Sequence, residues 1–325
     1  MHENAAMFDT WSVVSLWTAI AVYALALICY SMDLAKRSDS SIKQKDRELV
    51  MAGSVPAAPA SNEPVAHTNN VMARIATTLT WIAFLVHVTA VVLRGIGDGH
   101  VPWSSMYEFA MTATMLFMAV YLVVLFFKDL RFVGSFMTGL VTLLLGAASS
   151  PKIYAPIVPL SDPLKSYWLV IHVFVASLAT AFFALAFAVS VLQLLQTRRE
   201  RLSREDPSRD EKKNLLRTIP NAEALESLAD RVTIIGFILW TFTLIAGAIW
   251  AQDAWGRYWG FDTKEVWTFI IWVLYAGYIH ARATRGWRGT RSAWLAIVGF
   301  IAVLFNFTIV NMFFNGLHSY AGLPD

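Results

Sequence analysis

Eight stretches free of Asp, Glu, Lys and Arg punctuate this chain, at residues 11–30, 75–93, 109–127, 132–150, 166–197, 232–252, 266–281 and 292–320. A helix needs about 20 apolar residues to cross a bilayer, so nearly every run reaches that length and the seventh is the shortest. Backbone amides in lipid must be satisfied within the protein, and none of the runs alternates with the period of two that barrel strands require. The expected fold class is therefore all-α, a polytopic membrane helical bundle of about eight transmembrane helices. Composition agrees: 15% of the residues are charged, against about a quarter in a soluble domain.

The arrangement of basic residues gives an orientation. Of the 26 Lys and Arg, only Arg94, Lys152, Lys165, Arg257 and Lys264 fall on the side that holds the two termini. The other side carries the run Arg198, Arg199, Arg201, Arg204 and the set Arg282, Arg285, Arg288, Arg291. By the positive-inside rule both termini are expected outside. Residues 1–31 read as a first transmembrane anchor that is retained, because the run follows Glu3 and Asp9 and lacks a small-residue cleavage site. Residues 32–74, centred on Pro56 to Ala60, read as a flexible cytoplasmic linker. Residues 75–325 are expected to form one membrane domain of seven helices, with an external tryptophan-rich segment at 250–265. Residues 198–230 read as a charged cytoplasmic loop, helical in part from Ala222 to Asp230.

Several chemistries are excluded. Cys29 is the one cysteine, so there is no intramolecular disulfide, no CxxC pair, no cysteine zinc site and no CxxCH haem attachment. Neither large loop carries a nucleotide-binding motif, which argues against an ATPase, and nothing points to nucleic acid. No fixed-period repeat is visible.

Five of the 13 tryptophans, Trp250, Trp255, Trp259, Trp267 and Trp272, fall within 23 residues, together with Tyr258, Phe261 and Phe269. Tryptophans commonly anchor helix ends at the headgroup level, and Trp11, Trp103, Trp168 and Trp294 fit that role. A belt does not need so many rings in one connection with Gly256 and Gly260 between them. Such a segment equally suits a flat ligand face, and from composition the two readings are balanced. The histidines favour the ligand. His172, near the outer end of the fifth span, and His318, past the outer end of the eighth, share the depth of the tryptophan segment, and two imidazoles beside an aromatic surface are what an iron porphyrin requires. His280 lies about 20 Å or more deeper along the seventh span and marks a second haem level. His87 reads as a histidine that hydrogen-bonds across helices, while His2, His67 and His100 belong to terminal or loop sequence.

The segment Trp255-Gly-Arg-Tyr-Trp259-Gly-Phe-Asp262-Thr-Lys-Glu265 resembles the "WWD" signature of haem-handling proteins of cytochrome c biogenesis. Pro102-Trp-Ser-Ser-Met-Tyr-Glu108-Phe109 opening the third span, His172, His280 and Gly316-Leu-His318-Ser-Tyr320 are similar to landmarks of its CcsA branch (ResC-type, CcsB in some bacteria), which serves the system II pathway. The resemblance runs from about residue 75 to the C-terminus. It departs at Phe261, usually Trp, and at Thr263, usually Pro. Phe261 keeps a ring but lacks an indole N–H, and Thr263 is a possible helix cap.

The resemblance implies a multi-pass plasma-membrane protein with an extracytoplasmic active face. It would be the haem-handling part of a cytochrome c synthase of the haem lyase type, moving haem b as a substrate in transit and presenting it for thioether attachment to CxxCH. His172 and His318 carry over as the outer axial pair and His280 as a ligand within the membrane. Trp250, Trp255, Gly256, Tyr258, Trp259, Gly260, Phe261 and Asp262 would form the platform, and Arg257 and Lys264 would meet the propionates. Salt-bridging to Asp262 is the alternative for Lys264, and Asp262 and Glu265 are expected to fix the loop or cap the next helix rather than act as acid or base. Implied partners are a ResB/CcsB-type membrane protein, apocytochrome c and thiol-reducing proteins. The competing readings are a bis-histidine haem b electron-transfer subunit, which would need paired histidines at matched depth, and a haem-free transporter, for which the spans hold few charged residues.

Overall fold

The computed structural model describes residues 2–52, 71–206, 215–314 and 316–318. His67, the Pro56–Ala60 stretch, Ser319, Tyr320 and the side chain of His2 fall outside that description. Among the described residues there are helices and no strand: α1 (His2–Ala52), α2 (Val71–Asp98), α3 (Met106–Phe127), α4 (Gly134–Ala148), α5 (Tyr167–Glu205), α6 (Ala222–Trp255), α7 (Thr263–Arg285), α8 (Thr290–Phe307) and the short α9 (Ile309–Phe313). Seven helical segments are long and apolar enough to cross a membrane: Ala5–Lys36, Val71–Asp98, Met106–Phe127, Arg131–Ala148, Tyr167–Glu205, Ala222–Trp255 and Thr290–Phe313. The remaining long helix, α7, has 23 residues and so extends about 34 Å. Its ends are charged, and it packs between α6 and α8.

Helices outrun the apolar stretches. α1 continues to Ala52, so helix occupies the first part of the segment expected as linker. α6 begins at Ala222, where Asn221 caps it by accepting the Ala224 N–H at 2.9 Å, and the section expected to be partly helical is its first turns. Hydropathy records the thickness of the apolar layer, whereas caps decide where a helix ends.

Small residues bring the helices together. Ala76, Ala83 and Ala90 of α2, spaced by seven, and Ala19 and Ala26 of α1 are all fully buried, and α1 packs along α2 and α4. Lipid is as apolar as leucine, so association rests on such close packing rather than on exclusion of water. α3 is the most buried of the spans and joins this group to α5. α5 in turn packs on α6 and α8, and Phe183 of α5 stacks on Tyr275 of α7 with ring centroids 3.7 Å apart. Buried hydroxyls return to their own helix: Thr80, Thr138 and Thr233 each donate to the carbonyl four residues earlier at 2.7–2.8 Å.

Each end of the bundle has a polar clamp. At the end where α2 finishes and α3 starts, buried Arg94 reaches Glu108 at 2.7 Å, Asp98 at 3.0 Å and Asp9 of α1 at 2.6 Å. It also donates to the Ala155 carbonyl at 2.9 Å. At the opposite end, Glu226 near the start of α6 accepts from Arg282 at 2.6 Å and from the Gly289 N–H at 2.8 Å. Arg282 also pairs with Asp230 at 2.7 Å.

Candidate haem site

A cavity of about 230 Å³ opens between α3, α5, α6, α8 and the α6–α7 connection. His172, His318, Trp250, Tyr258, Trp259 and Lys264 all line it, with Trp103 and Ser104 just before α3 and Phe109 in its first turn. The two histidines that share only a depth in the sequence thus meet at one cavity.

Trp250 joins them. Its ring is buried, lies nearly parallel to His172 with centroids 5.9 Å apart, and meets His318 edge-on at 5.4 Å. The indole N–H donates to the Pro163 carbonyl at 2.9 Å, which satisfies its polar atom and fixes its rotation. Trp255 packs against both Trp250 and His318 with centroids 4.8 Å apart in each case.

Each imidazole has one nitrogen committed. His172 Nδ1 lies 3.0 Å from the Thr243 carbonyl of α6. A carbonyl only accepts, so Nδ1 carries the proton and Nε2 keeps its lone pair. Gly247 makes this approach possible, since a Cβ there would come within 2.7 Å of the His172 ring. His318 Nδ1 lies 2.7 Å from Asp262 Oδ2, again leaving Nε2 as the available donor. A bond from Nδ1 to a carbonyl or carboxylate is the arrangement that fixes the tautomer of metal-binding histidines.

Asp262 and Glu265 hold the connection. Gly256 ends α6 at φ +71°, a left-handed conformation that glycine adopts without cost. Asp262 is the N-cap of α7 and forms a capping box with Glu265. Thr263, a possible cap from its residue type, is instead the first helical residue. Glu265 Oε2 accepts the Gly260 and Asp262 N–H groups at 2.8 and 3.0 Å, and its other oxygen lies 3.5 Å from Arg257. The bond from His318, followed by those from the Leu317 and Lys264 amides, pulls the Asp262 carboxyl down to about 2.

The other expected residues divide. Lys264 faces the cavity and has no ion pair among the described residues, so the anticipated bridge to Asp262 does not form. Arg257 lies over the Trp255 ring at 6.0 Å and is shared with Glu265. Phe261 is 79% exposed at φ +58° and does not line the cavity. His280 is exposed on α7, about 27 Å along the helix axis from Asp262. His87 is fully buried, its Nε2 3.0 Å from the Met111 carbonyl, so it ties α2 to α3. His100 has its Nδ1 3.0 Å from the Val101 carbonyl. Thr243, Gly247 and Pro163 escape sequence reading, because two contribute only a backbone carbonyl and the third the absence of a side chain.

Comparisons with known proteins give the family. Residues 103–318 match the family described as cytochrome C assembly protein. The cytochrome c biogenesis protein CcsA of Guillardia theta is 36% identical over 245 residues, which cover 71% of this chain and 80% of that protein. The CcsA of Mesostigma viride is 33% identical over 244 residues, covering 70% and 80%. Among solved structures, the cytochrome c haem lyase CcmF superposes with a TM-score of 0.62 at 16% identity, over 92% of this chain and 46% of that one. That likeness is one of fold. The chain is a multi-pass membrane protein of c-type cytochrome biogenesis and belongs to the cytochrome c assembly family, in its CcsA branch.

Proposed function

We propose that the chain carries haem b as a substrate and presents it at the extracytoplasmic face of the plasma membrane for covalent attachment to apocytochrome c. The observation that carries this reading is the pair His172 and His318. Both rest on Trp250, and both have Nδ1 committed, so two Nε2 lone pairs remain for the axial positions of one iron. Trp250, Tyr258 and Trp259 supply apolar contact for the macrocycle, with Trp255 packed behind Trp250, and Lys264 is a cation for a propionate. Arg257 offers a second cation at the edge of the site.

Attachment adds each cysteine S–H across one haem vinyl group, sulfur to the inner carbon and hydrogen to the terminal one. The macrocycle must therefore be held by face and iron with its vinyl edge free. A cavity of about 230 Å³ is below the roughly 300–1,000 Å³ of pockets that enclose a whole ligand, which suits a porphyrin left open at one edge. The client CxxCH histidine then replaces an axial histidine and releases the product.

His280, exposed on α7, is a ligand for haem at the inner level, completed by a ResB/CcsB-type partner with which this chain forms the synthase. Thiol-reducing proteins keep the client cysteines available. α7 supplies the crossing that brings the total to eight, and both termini lie outside, in keeping with the basic residues between spans. A bis-histidine electron-transfer subunit is less well supported, because His87 is fully buried against α3 while His280 is exposed on α7, so the two do not form a pair.

The test is to purify the chain, alone and with a co-produced ResB-type partner, and record absorption spectra. A low-spin bis-histidine haem spectrum is expected, and no haem under either condition would sink the reading. A deletion strain should accumulate apocytochrome c, whereas a normal level of holocytochrome would exclude a role in attachment.

A further inference from the structure

The two histidines at the cavity have unlike partners. His172 Nδ1 meets an uncharged carbonyl, that of Thr243, at 3.0 Å. His318 Nδ1 meets the carboxylate of Asp262 at 2.7 Å. A carboxylate behind an imidazole raises the basicity of its second nitrogen more than a neutral acceptor does.

Asp262 is built around this contact beyond what a helix cap needs. Capping α7 takes the Lys264 N–H, at 3.3 Å from Oδ2, and the Glu265 N–H of the capping box, both within the first turn of α7. The Leu317 N–H is directed at Oδ1 at 3.0 Å, and Gly316 is so close that a Cβ there would collide with the same oxygen. Residues 316–318 thus fold onto one carboxylate more than 50 positions earlier in the chain. Arg257 is directed at Glu265, and Lys264 makes no ion pair with Asp262 among the described residues, so His318 is the one charged or polar side chain that Asp262 is seen to bond.

We infer that Asp262 is a positioning residue for haem ligation: through its bond to His318 Nδ1 it makes His318 the stronger iron donor and leaves His172 the weaker one, the position at which an incoming imidazole exchanges first. This rests on the reading of His172 and His318 as the axial pair.

The test uses the full chain co-purified with haem and its partner. Asn also caps helices well, so Asp262→Asn removes the charge while keeping the end of α7. Its haem should stay low-spin with a midpoint potential raised above that of the parent, because a weaker donor stabilises ferric iron less. In a His172→Ala background, where His318 alone holds the iron, Asp262→Asn should weaken haem retention by about 10–100-fold. In a His318→Ala background the same change should have no further effect, a coupling that a purely structural role would not produce. Asp262→Glu should restore the potential. An unchanged potential in haem-loaded Asp262→Asn, or an effect that persists without His318, overturns this inference alone. A parent protein that holds no haem overturns the proposed function and this inference with it.

Discussion

The Arg94 cluster, which is buried, and the His172–His318 pair, which is half-buried, are both polar groups set among apolar helices, yet they end differently. Every guanidinium nitrogen of Arg94 has a partner, supplied by Asp9, Asp98, Glu108 and the Ala155 carbonyl, and Glu108 further accepts from Ser104. In the cavity each imidazole uses one nitrogen for the scaffold and keeps the other. A guanidinium whose nitrogens are all matched holds helices together, although Asp98 beside it keeps carboxylate oxygens that accept no hydrogen bond. An imidazole that keeps a lone pair beside an apolar cavity is able to bind.

Arg94→Ala is the harshest way to break that comparison. It strands three carboxylates, and removing one partner of a buried ion network costs about 3–5 kcal/mol. Thermal unfolding in detergent should show the loss, with haem content falling alongside. His172→Ala should separate the two regions: haem retention falls on the order of a hundredfold while the melting temperature stays near the parent value. A matching loss of stability would mean that His172 belongs with Arg94 as a fastener.

Gly247→Ala is milder. Its Cβ would press on the His172 ring, and such overpacking costs roughly 1–3 kcal/mol, so a shifted or partly high-spin haem spectrum is expected. The smallest effect is a pH response. Asp262 is held at about 2 in the folded chain, below the roughly 3.9 of a free aspartate. Its contribution is therefore complete above about pH 4 and fades as the pH falls towards about 2. Melting temperatures measured across that window should fall less in Asp262→Asn than in the parent.

Much of this was legible in the chain, for reasons that differ by region. Each charge-free run carries a helix over most of its length, the last run breaking between α8 and α9, because lipid imposes both length and composition. The ends were less legible: α5 runs on to Glu205 and α6 begins at Ala222, beyond the apolar layer and under the control of caps. The Asp262-x-x-Glu265 spacing of a capping box was written plainly, so the cap fell to Asp262 although Thr263 is also a capping residue type. Phe261 shows the limit of counting rings. An aromatic in the right segment is exposed, on backbone at φ +58°, and a backbone angle leaves no mark in composition. The pairing of His172 with His318 was readable only as shared depth, since a carbonyl such as that of Thr243 has no signature of its own.

α6 is a single uninterrupted helix with the Glu226–Arg282 clamp near one end and Trp250 near the other. The two are about 24 residues apart, roughly 36 Å along a helix. It is therefore a lever with a long arm. A tilt of about 3° around the clamp displaces the indole by roughly 2 Å, and that indole touches both histidines. A small tilt at the arginine-rich end of the bundle is thus magnified where the indole meets the two histidines.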